Sequence, residues 1–113
     1  MAVDKGLLGG STVLMLLSLL SDKDCYGYEI IKELDERSET VFQFKEGTLY
    51  PVLHKMESDG YGRSYKKEGE NGKKRTYYSI TDKGILQLQR EKEKWAEFTV
   101  GVNKVLKGTT FSY

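Results

Sequence analysis

The 113-residue chain has one cysteine, one histidine, one tryptophan and one proline, and each scarcity removes a class of protein. Cys25 has no second cysteine to pair with, so no internal disulfide exists. With His54 as the single histidine, there are too few nitrogen and sulfur donors for a zinc cluster. This usage fits a reduced, cytoplasmic protein. The lone Pro51 argues against proline-rich linkers and long structured loops. The main apolar run, Val13 to Leu20, falls far short of the ~20 residues a membrane span needs. Its flanks, Asp4-Lys5 before and Ser21-Asp22-Lys23-Asp24 after, do not read as a signal peptide. No pair of carboxylates comes with a histidine, a metal site or a glycine-rich phosphate loop, so nothing points to catalysis, a metal or a cofactor.

What is present suits one compact domain. Hydrophobic residues make up 38% and, with 12 glycines added, approach the roughly 45–50% of an ordinary soluble domain. The length is too short for two ordinary domains. A formal charge of +1 hides a sorting of charge along the chain. From Asp22 to Glu46 there are four bases against eight acids; from Arg63 to Arg75 there are six bases against two acids. The basic segment contains Gly69-Glu70-Asn71-Gly72, a turn signal between two strand-like runs, which predicts a hairpin with basic flanks. Such a hairpin suits a polyanion, or is a solvated edge kept soluble by lysines.

Apolar periodicity orders the rest. Leu7-Leu8 and Val13–Leu20 predict a first helix that is apolar nearly all round, started by Ser11 or Thr12 and ended by Ser21–Asp24. Tyr26 to Arg37 reads as a second helix with Tyr26, Ile30, Ile31 and Leu34 on one face. Glu29, Glu33, Asp35 and Glu36 are most simply its solvated side. Val41–Phe44 is an extended connection. Gly47 to Asp59 reads as a third helix, with Thr48 as N-cap, Pro51 in the first turn, a stripe of Leu49, Val52, Leu53 and Met56, and Gly60 as the stop. Arg63–Lys67 and Arg75–Ile80 are the hairpin strands. Thr81-Asp82 then caps a fourth helix running to about Leu106, and Gly108–Tyr113 reads as a frayed tail.

The expected fold is therefore mostly α with a small β-hairpin: a winged helix-turn-helix over residues 1–80, a long C-terminal helix over 81–107 and a flexible tail over 108–113. The stripe Leu88, Trp95, Phe98, Val102 and Val105 on the last helix, interrupted by Glu91, is too long to be buried on so small a core. Self-association into a two-fold dimer is the simplest way to cover it.

Three segments in this order carry a family resemblance: Tyr26-Gly27-Tyr28-Glu29-Ile30; the run from Glu46 to Glu57 with Asp59-Gly60 after it; and Lys74 to Gly84. Over roughly Leu7 to Leu106 the chain resembles the PadR-like winged-helix transcriptional regulators, in their short form with a single C-terminal dimerisation helix. The resemblance implies a homodimeric DNA-binding repressor, ligand-responsive in some members, reading a pseudo-palindromic operator. It places Thr48, Tyr50, Pro51, His54 and Lys55 on the recognition helix. It places Lys73, Lys74, Arg75 and Tyr77 on the wing, and Tyr26 and Tyr28 at the start of the second helix, where family members approach phosphates. Trp95 matches an aromatic that in some members lines a ligand cavity between subunits. A pocket floored by Trp95 and closed by Leu14, Met15 and Ser18 would suit a planar aromatic or cationic molecule. One departure from the family pattern is Tyr61-Gly62-Arg63, where Gly62 stands in place of an apolar anchor for the first wing strand.

Several of these residues have a plainer reading. His54 is equally a surface histidine. Tyr50 either donates to a phosphate or packs on the second helix. Arg75 either grips phosphate or pairs with Glu68 across the hairpin. Cys25 is a small buried residue before it is a redox sensor. A protein-interaction module without sequence-specific DNA binding is the alternative function; RNA binding is more distant, because no aromatic-bearing sheet is legible.

Overall fold

A computed structural model describes residues 5–107, with side chains from Ser11 onward. The expected tail over 108–113 and the side chains of Leu7 and Leu8 lie outside the described residues. The order is α1 (Lys5–Asp22), β1 (Cys25–Tyr26), α2 (Gly27–Arg37), α3 (Glu46–Ser58), β2 (Gly62–Glu68), β3 (Lys74–Ile80) and α4 (Asp82–Lys107). The expected helices and hairpin are present, and with them the winged helix-turn-helix and the long last helix.

The core is built around α1, which touches α2, α3, β3 and α4. Leu16, Leu17, Leu19 and Leu20 from α1 meet Ile30 and Leu34 from α2, Leu49, Leu53 and Met56 from α3, Tyr78 from β3 and Leu88 from α4. Each fully buried leucine or isoleucine contributes about 1.5–3 kcal/mol of transfer free energy. Ser11 and Thr12 do not cap α1. They lie inside it and are buried, because tertiary packing carries the helix through a glycine-containing stretch that propensity alone would end.

The chain then makes a turn that the sequence did not reveal. Cys25 and Tyr26 pair with Tyr78 and Tyr77, so the hairpin is the outer part of a three-stranded antiparallel sheet in the order β1-β3-β2. Tyr26 consequently precedes α2 in an extended conformation instead of opening it, and its N–H donates to the Glu29 carboxylate at 3.2 Å. A two-residue strand carries too little alternation to be read as one.

The α2–α3 connection is fixed by Ser38. Its hydroxyl donates to the Leu34 carbonyl (2.6 Å) and accepts the Phe42 N–H (2.9 Å). Helix α3 starts earlier than expected, because Thr48 and Leu49 both donate to the Lys45 carbonyl, so Thr48 is not the N-cap. Pro51 is the sixth helical residue and sits beyond the first turn. Its missing N–H leaves the Gly47 carbonyl without a helical donor, on a flank where Gly47 is exposed to solvent. Gly60 ends α3 with φ +83°. Its N–H reaches Glu57 O and that of Tyr61 reaches Met56 O, the paired bonds of a Schellman stop.

Gly62 opens β2 in register with Ile80, and a Cβ there would stand 3.3 Å from the Ser79 carbonyl, so the close backbone approach uses the glycine. Tyr61 beside it packs on the core and supplies the anchor. The wing turn closes through Gly69 N–H to Lys73 O (2.7 Å), with Gly72 at φ +77°. Thr81 caps α4: its hydroxyl accepts the Gly84 N–H (3.0 Å) and donates to the Gly60 carbonyl (2.6 Å).

Candidate nucleic-acid interface

Helix α3 buries Leu49, Leu53 and Met56, at spacings of four and three, and so turns Thr48, Pro51, His54, Lys55 and Ser58 outward. All but Ser58 are sequence-expected recognition residues, and of the expected set only Tyr50 is missing from this face. Lys55 is engaged with Asp59 at 3.1 Å, an exposed pair of the kind worth a few tenths of a kcal/mol and easily exchanged for another anion. Tyr50 turns inward. It is half-buried, and its hydroxyl lies against the backbone of Gly27 at the start of α2. That geometry favours packing on the second helix over free contact.

The start of α2, one flank of α3 and the wing border a concavity of about 570 Å³. Tyr26, Gly27 and Tyr28 come from the first, Glu46, Tyr50, His54 and Glu57 from the second, and Ser64, Arg75 and Thr76 from the third. Five expected residues, Tyr26, Tyr28, Tyr50, His54 and Arg75, are thus brought together. Tyr28 is 61% exposed beside the open end of α2. Ser64 donates to the Glu57 carboxylate at 2.9 Å and ties the wing to α3. That link was not legible, since it depends on how β2 packs.

Lys73 and Lys74 stand away from this concavity near the wing turn, with Arg63, Lys66 and Lys67 along β2, all exposed. Among the described residues none of these five is in an ion pair, whereas the acidic segment is largely self-neutralised. Lys23 approaches Glu29 (3.9 Å) and Glu33 (4.0 Å), and Arg37 holds Asp22 (3.0 Å) and Glu33 (2.8 Å). Of these two segments, the wing is therefore the one that keeps its charge unpaired.

The hairpin register places Glu68 opposite Lys74 and Arg75 opposite Lys67, which removes Glu68 as the cross-strand partner of Arg75. Arg75 instead lies over the Tyr26 ring, 4.4 Å from its centroid. Tyr77 is packed between Tyr26 (5.4 Å, edge-on) and Tyr65 (5.8 Å, stacked). The sheet thus does carry aromatics, contrary to the sequence expectation, but cations cover two of the rings: Arg75 over Tyr26 and Lys67 over Tyr77 at 5.5 Å. Tyr65 was missed, although the glycine-bounded turn that sets the register also places it opposite Tyr77.

A second exposed region lies on α4. Trp95 (46% exposed) stacks on Phe98 (58%) at 5.8 Å, and Val102 and Val105 continue outward from them. Leu88 departs from expectation. At 5% exposure it belongs to the subunit's own core, because the first turns of α4 lie on α1. Leu14, Met15 and Ser18 on α1 are half-buried. Cys25 is buried, and that burial, with Glu29 adding to it, pushes its thiol up to about 11, a value for an inert side chain and not a sensor.

Three helices with a helix-turn-helix, followed by a β-wing and a long terminal helix, define a winged-helix regulator. The sequence matches the Transcriptional regulator PadR-like family over residues 16–90, and the chain belongs to that family, whose members are transcriptional regulators and not enzymes. It is similar to a transcriptional regulator from Clostridium thermocellum: 34% identity, 91% of this chain, 97% of that one, TM-score 0.82. It is equally similar to a PadR-like transcriptional regulator from Bacillus cereus: 33% identity, 93% of this chain, all of that one, TM-score 0.82. The transcriptional regulator YqjI of Escherichia coli is 28% identical over 85 residues, which is 75% of this chain and 39% of that protein. Among the described residues no helix is long and apolar enough to cross a membrane.

Proposed function

We propose that the chain is a DNA-binding repressor acting as a homodimer, with residues 1–80 as the DNA-binding unit and residues 81–107 as the dimerisation helix. The observation that carries this reading is the set of unpaired wing bases beside the exposed polar face of α3. In this arrangement α3 enters the major groove, with Thr48, Pro51, His54 and Lys55 facing base edges. Lys73, Lys74 and Arg75 hold phosphates, and the Tyr28 hydroxyl reaches a phosphate beside the α2 N-terminus. A two-fold dimer presents two such surfaces to half-sites about one helical turn apart in a pseudo-palindrome.

The half-exposed Trp95–Phe98 pair further supports a planar aromatic ligand held at the dimer seam, near Leu14, Met15 and Ser18. A ligand that prefers one subunit spacing shifts the separation of the recognition helices, and so controls affinity for the operator.

The test selects genomic fragments on the purified protein and measures binding of the best duplex by fluorescence anisotropy across salt. Affinity should fall steeply with salt. Lys74→Ala should weaken all sequences alike and flatten the slope by about one unit, while His54→Ala should change the preferred bases at ~1–3 kcal/mol per lost contact. Binding that is salt-independent, or that enriches no fragment, would leave the protein-interaction alternative instead.

A further inference from the structure

The strand registers place Tyr26, Tyr77 and Tyr65 in one row across the sheet, with Tyr26 opposite Tyr77 and Tyr77 opposite Tyr65. The next row holds Arg75 and Lys67, also directly opposite one another. Because alternate residues of a strand share a face, the two rows lie on the same side. The contacts agree: Arg75 covers Tyr26 and Lys67 covers Tyr77. At its far end the row is tied to the body of the protein, since the Tyr65 hydroxyl donates to the Asp24 carboxylate at 2.6 Å, in the segment joining α1 to β1. The other end abuts α2, because Tyr26 immediately precedes it.

We propose that this tyrosine row is the platform that positions the wing's cations for phosphate, and that Tyr26 serves DNA binding through the face of its ring, as a positioning residue for Arg75. The inference rests on the DNA-binding reading above and deepens it. Three considerations carry it. Two cations side by side on neighbouring strands repel, and like charges directly opposite destabilise a sheet; placing each over an electron-rich ring face offsets that cost and holds both side chains on one surface. A free arginine loses considerable rotamer freedom when it grips a phosphate, so a guanidinium already held on a ring gives up less on binding. The Tyr26 ring is itself locked edge-on against Tyr77, 72° between planes, so the face it offers Arg75 is fixed relative to β3.

The row also accounts for an otherwise odd composition. Two tyrosines, Tyr65 and Tyr77, and three basic residues, Arg63, Lys67 and Arg75, occupy alternate positions of a hairpin that would be soluble with far fewer aromatics, and Tyr26 of β1 completes the row.

The experiment compares Tyr26→Phe, which keeps the ring, with Tyr26→Leu, which keeps apolar bulk without it, on the full chain. Two readouts are used: duplex affinity across salt, and the ring-current shift of the Arg75 δ-methylene protons by NMR. Tyr26→Phe should bind DNA like the wild type and keep the shift. Tyr26→Leu should lose the shift, weaken binding about five- to tenfold for all sequences and lower the salt slope by about one unit. Arg75→Ala added to Tyr26→Leu should cost little more, because the two changes remove one contact. A thermal melt of each variant checks folding, and Tyr26→Phe supplies the comparison if Tyr26→Leu unfolds. The inference is overturned if Tyr26→Phe loses as much affinity as Arg75→Ala, which would assign the phosphate contact to the hydroxyl. Absence of the ring-current shift in the wild type would overturn it too. A wild-type protein that shows the shift yet binds no DNA would overturn the DNA-binding reading, and the role of the platform with it.

Discussion

The phenol of Tyr50 occupies the space that a Cβ on residue 27 would need. An added methyl would overlap the hydroxyl oxygen and lie 2.8 Å from Cζ. The first residue of α2 and the fifth of α3 are therefore fitted to one another, and this contact helps set how the two helices cross. Gly27→Ala should displace Tyr50 and destabilise the fold by about 1–3 kcal/mol, the usual cost of overpacking. Removing the hydroxyl should recover part of that loss, so Gly27→Ala/Tyr50→Phe should melt between the wild type and Gly27→Ala. Tyr50→Phe alone should leave base preference unchanged, because the hydroxyl faces α2. Thermal denaturation and fragment selection check the two halves.

Gly84 poses a sharper question of sign. It lies in the first turn of α4, where alanine normally improves a helix by about 1 kcal/mol. Here a Cβ would collide with the Tyr61 carbonyl oxygen and come 2.7 Å from Ile80 Cγ1. That carbonyl cannot easily retreat, since it accepts the Thr81 N–H at 3.1 Å. Gly84→Ala should therefore destabilise, by about 1–3 kcal/mol net. Gly101→Ala, where nothing lies within 4 Å of the new Cβ, should instead stabilise by about 0.5–1 kcal/mol. Urea unfolding of both variants decides whether packing or propensity governs each site.

These two glycines show what a sequence exposes and what it hides. The helices, the wing and the outward face of α3 follow from short-range periodicity, turn residues and caps: Leu49, Leu53 and Met56 announce their stripe, and Gly60 its stop. The wing bases were legible as a charge run. What stayed hidden depends on contacts between distant segments. Two residues pairing as β1, Tyr65 reaching Asp24 across 41 positions, and Arg75 choosing Tyr26 over Glu68 all follow from the sheet order. Leu88 and Trp95 carry the same heptad signal, yet Leu88 joins the core and Trp95, two turns further along α4, stays exposed.

The buried thiol predicts a pH dependence. Cys25 is pushed from an ordinary value of 9.0 up to about 11 by burial, aided by the Glu29 carboxylate, while its S–H donates to the Lys23 carbonyl at 3.5 Å. The folded state holds this proton more tightly than the unfolded chain. Stability is thus unaffected by the thiol below about pH 9 and falls as pH rises from 9 through 11, where the unfolded chain gains by ionising. Tyr65 and Tyr78 are raised in the same direction, Tyr65 to about 12 by its bond to Asp24 and Tyr78 by burial, so they add to the alkaline loss. Cys25→Ala should reduce the slope between pH 9 and 11 and leave the tyrosine part. Denaturant melts across pH 7–12 measure it, and in the native protein at pH 8 the thiol should react with a disulfide reagent only as fast as the chain opens.

The apolar face of α4 leads to the last prediction. Gly84 and Leu88 are buried on the subunit's own body, and the same side of the helix then continues outward as Trp95, Phe98, Val102 and Val105, all exposed. Glu91, which breaks this line, is held to its own helix by Gln87 Nε2 at 2.8 Å, so it need not oppose an apolar partner. A face of this length left in water favours association, and a second copy offers a matching one under two-fold symmetry. The wild type should therefore scatter light as a dimer at micromolar concentration, insensitive to salt. Phe98→Asp should produce a monomer of unchanged helical content, because residue 98 is already exposed in the single subunit and its loss costs that subunit little. In the dimer the substitution places one unpaired carboxylate per subunit in an apolar seam, so the cost of several kcal/mol is incurred twice. Phe98→Leu, which keeps the seam apolar, should remain dimeric, and so should Glu93→Ala on the opposite side of the helix. A wild-type monomer at these concentrations would overturn the dimer, and a Phe98→Asp protein that stays dimeric would place the subunit contact elsewhere than on this face of α4.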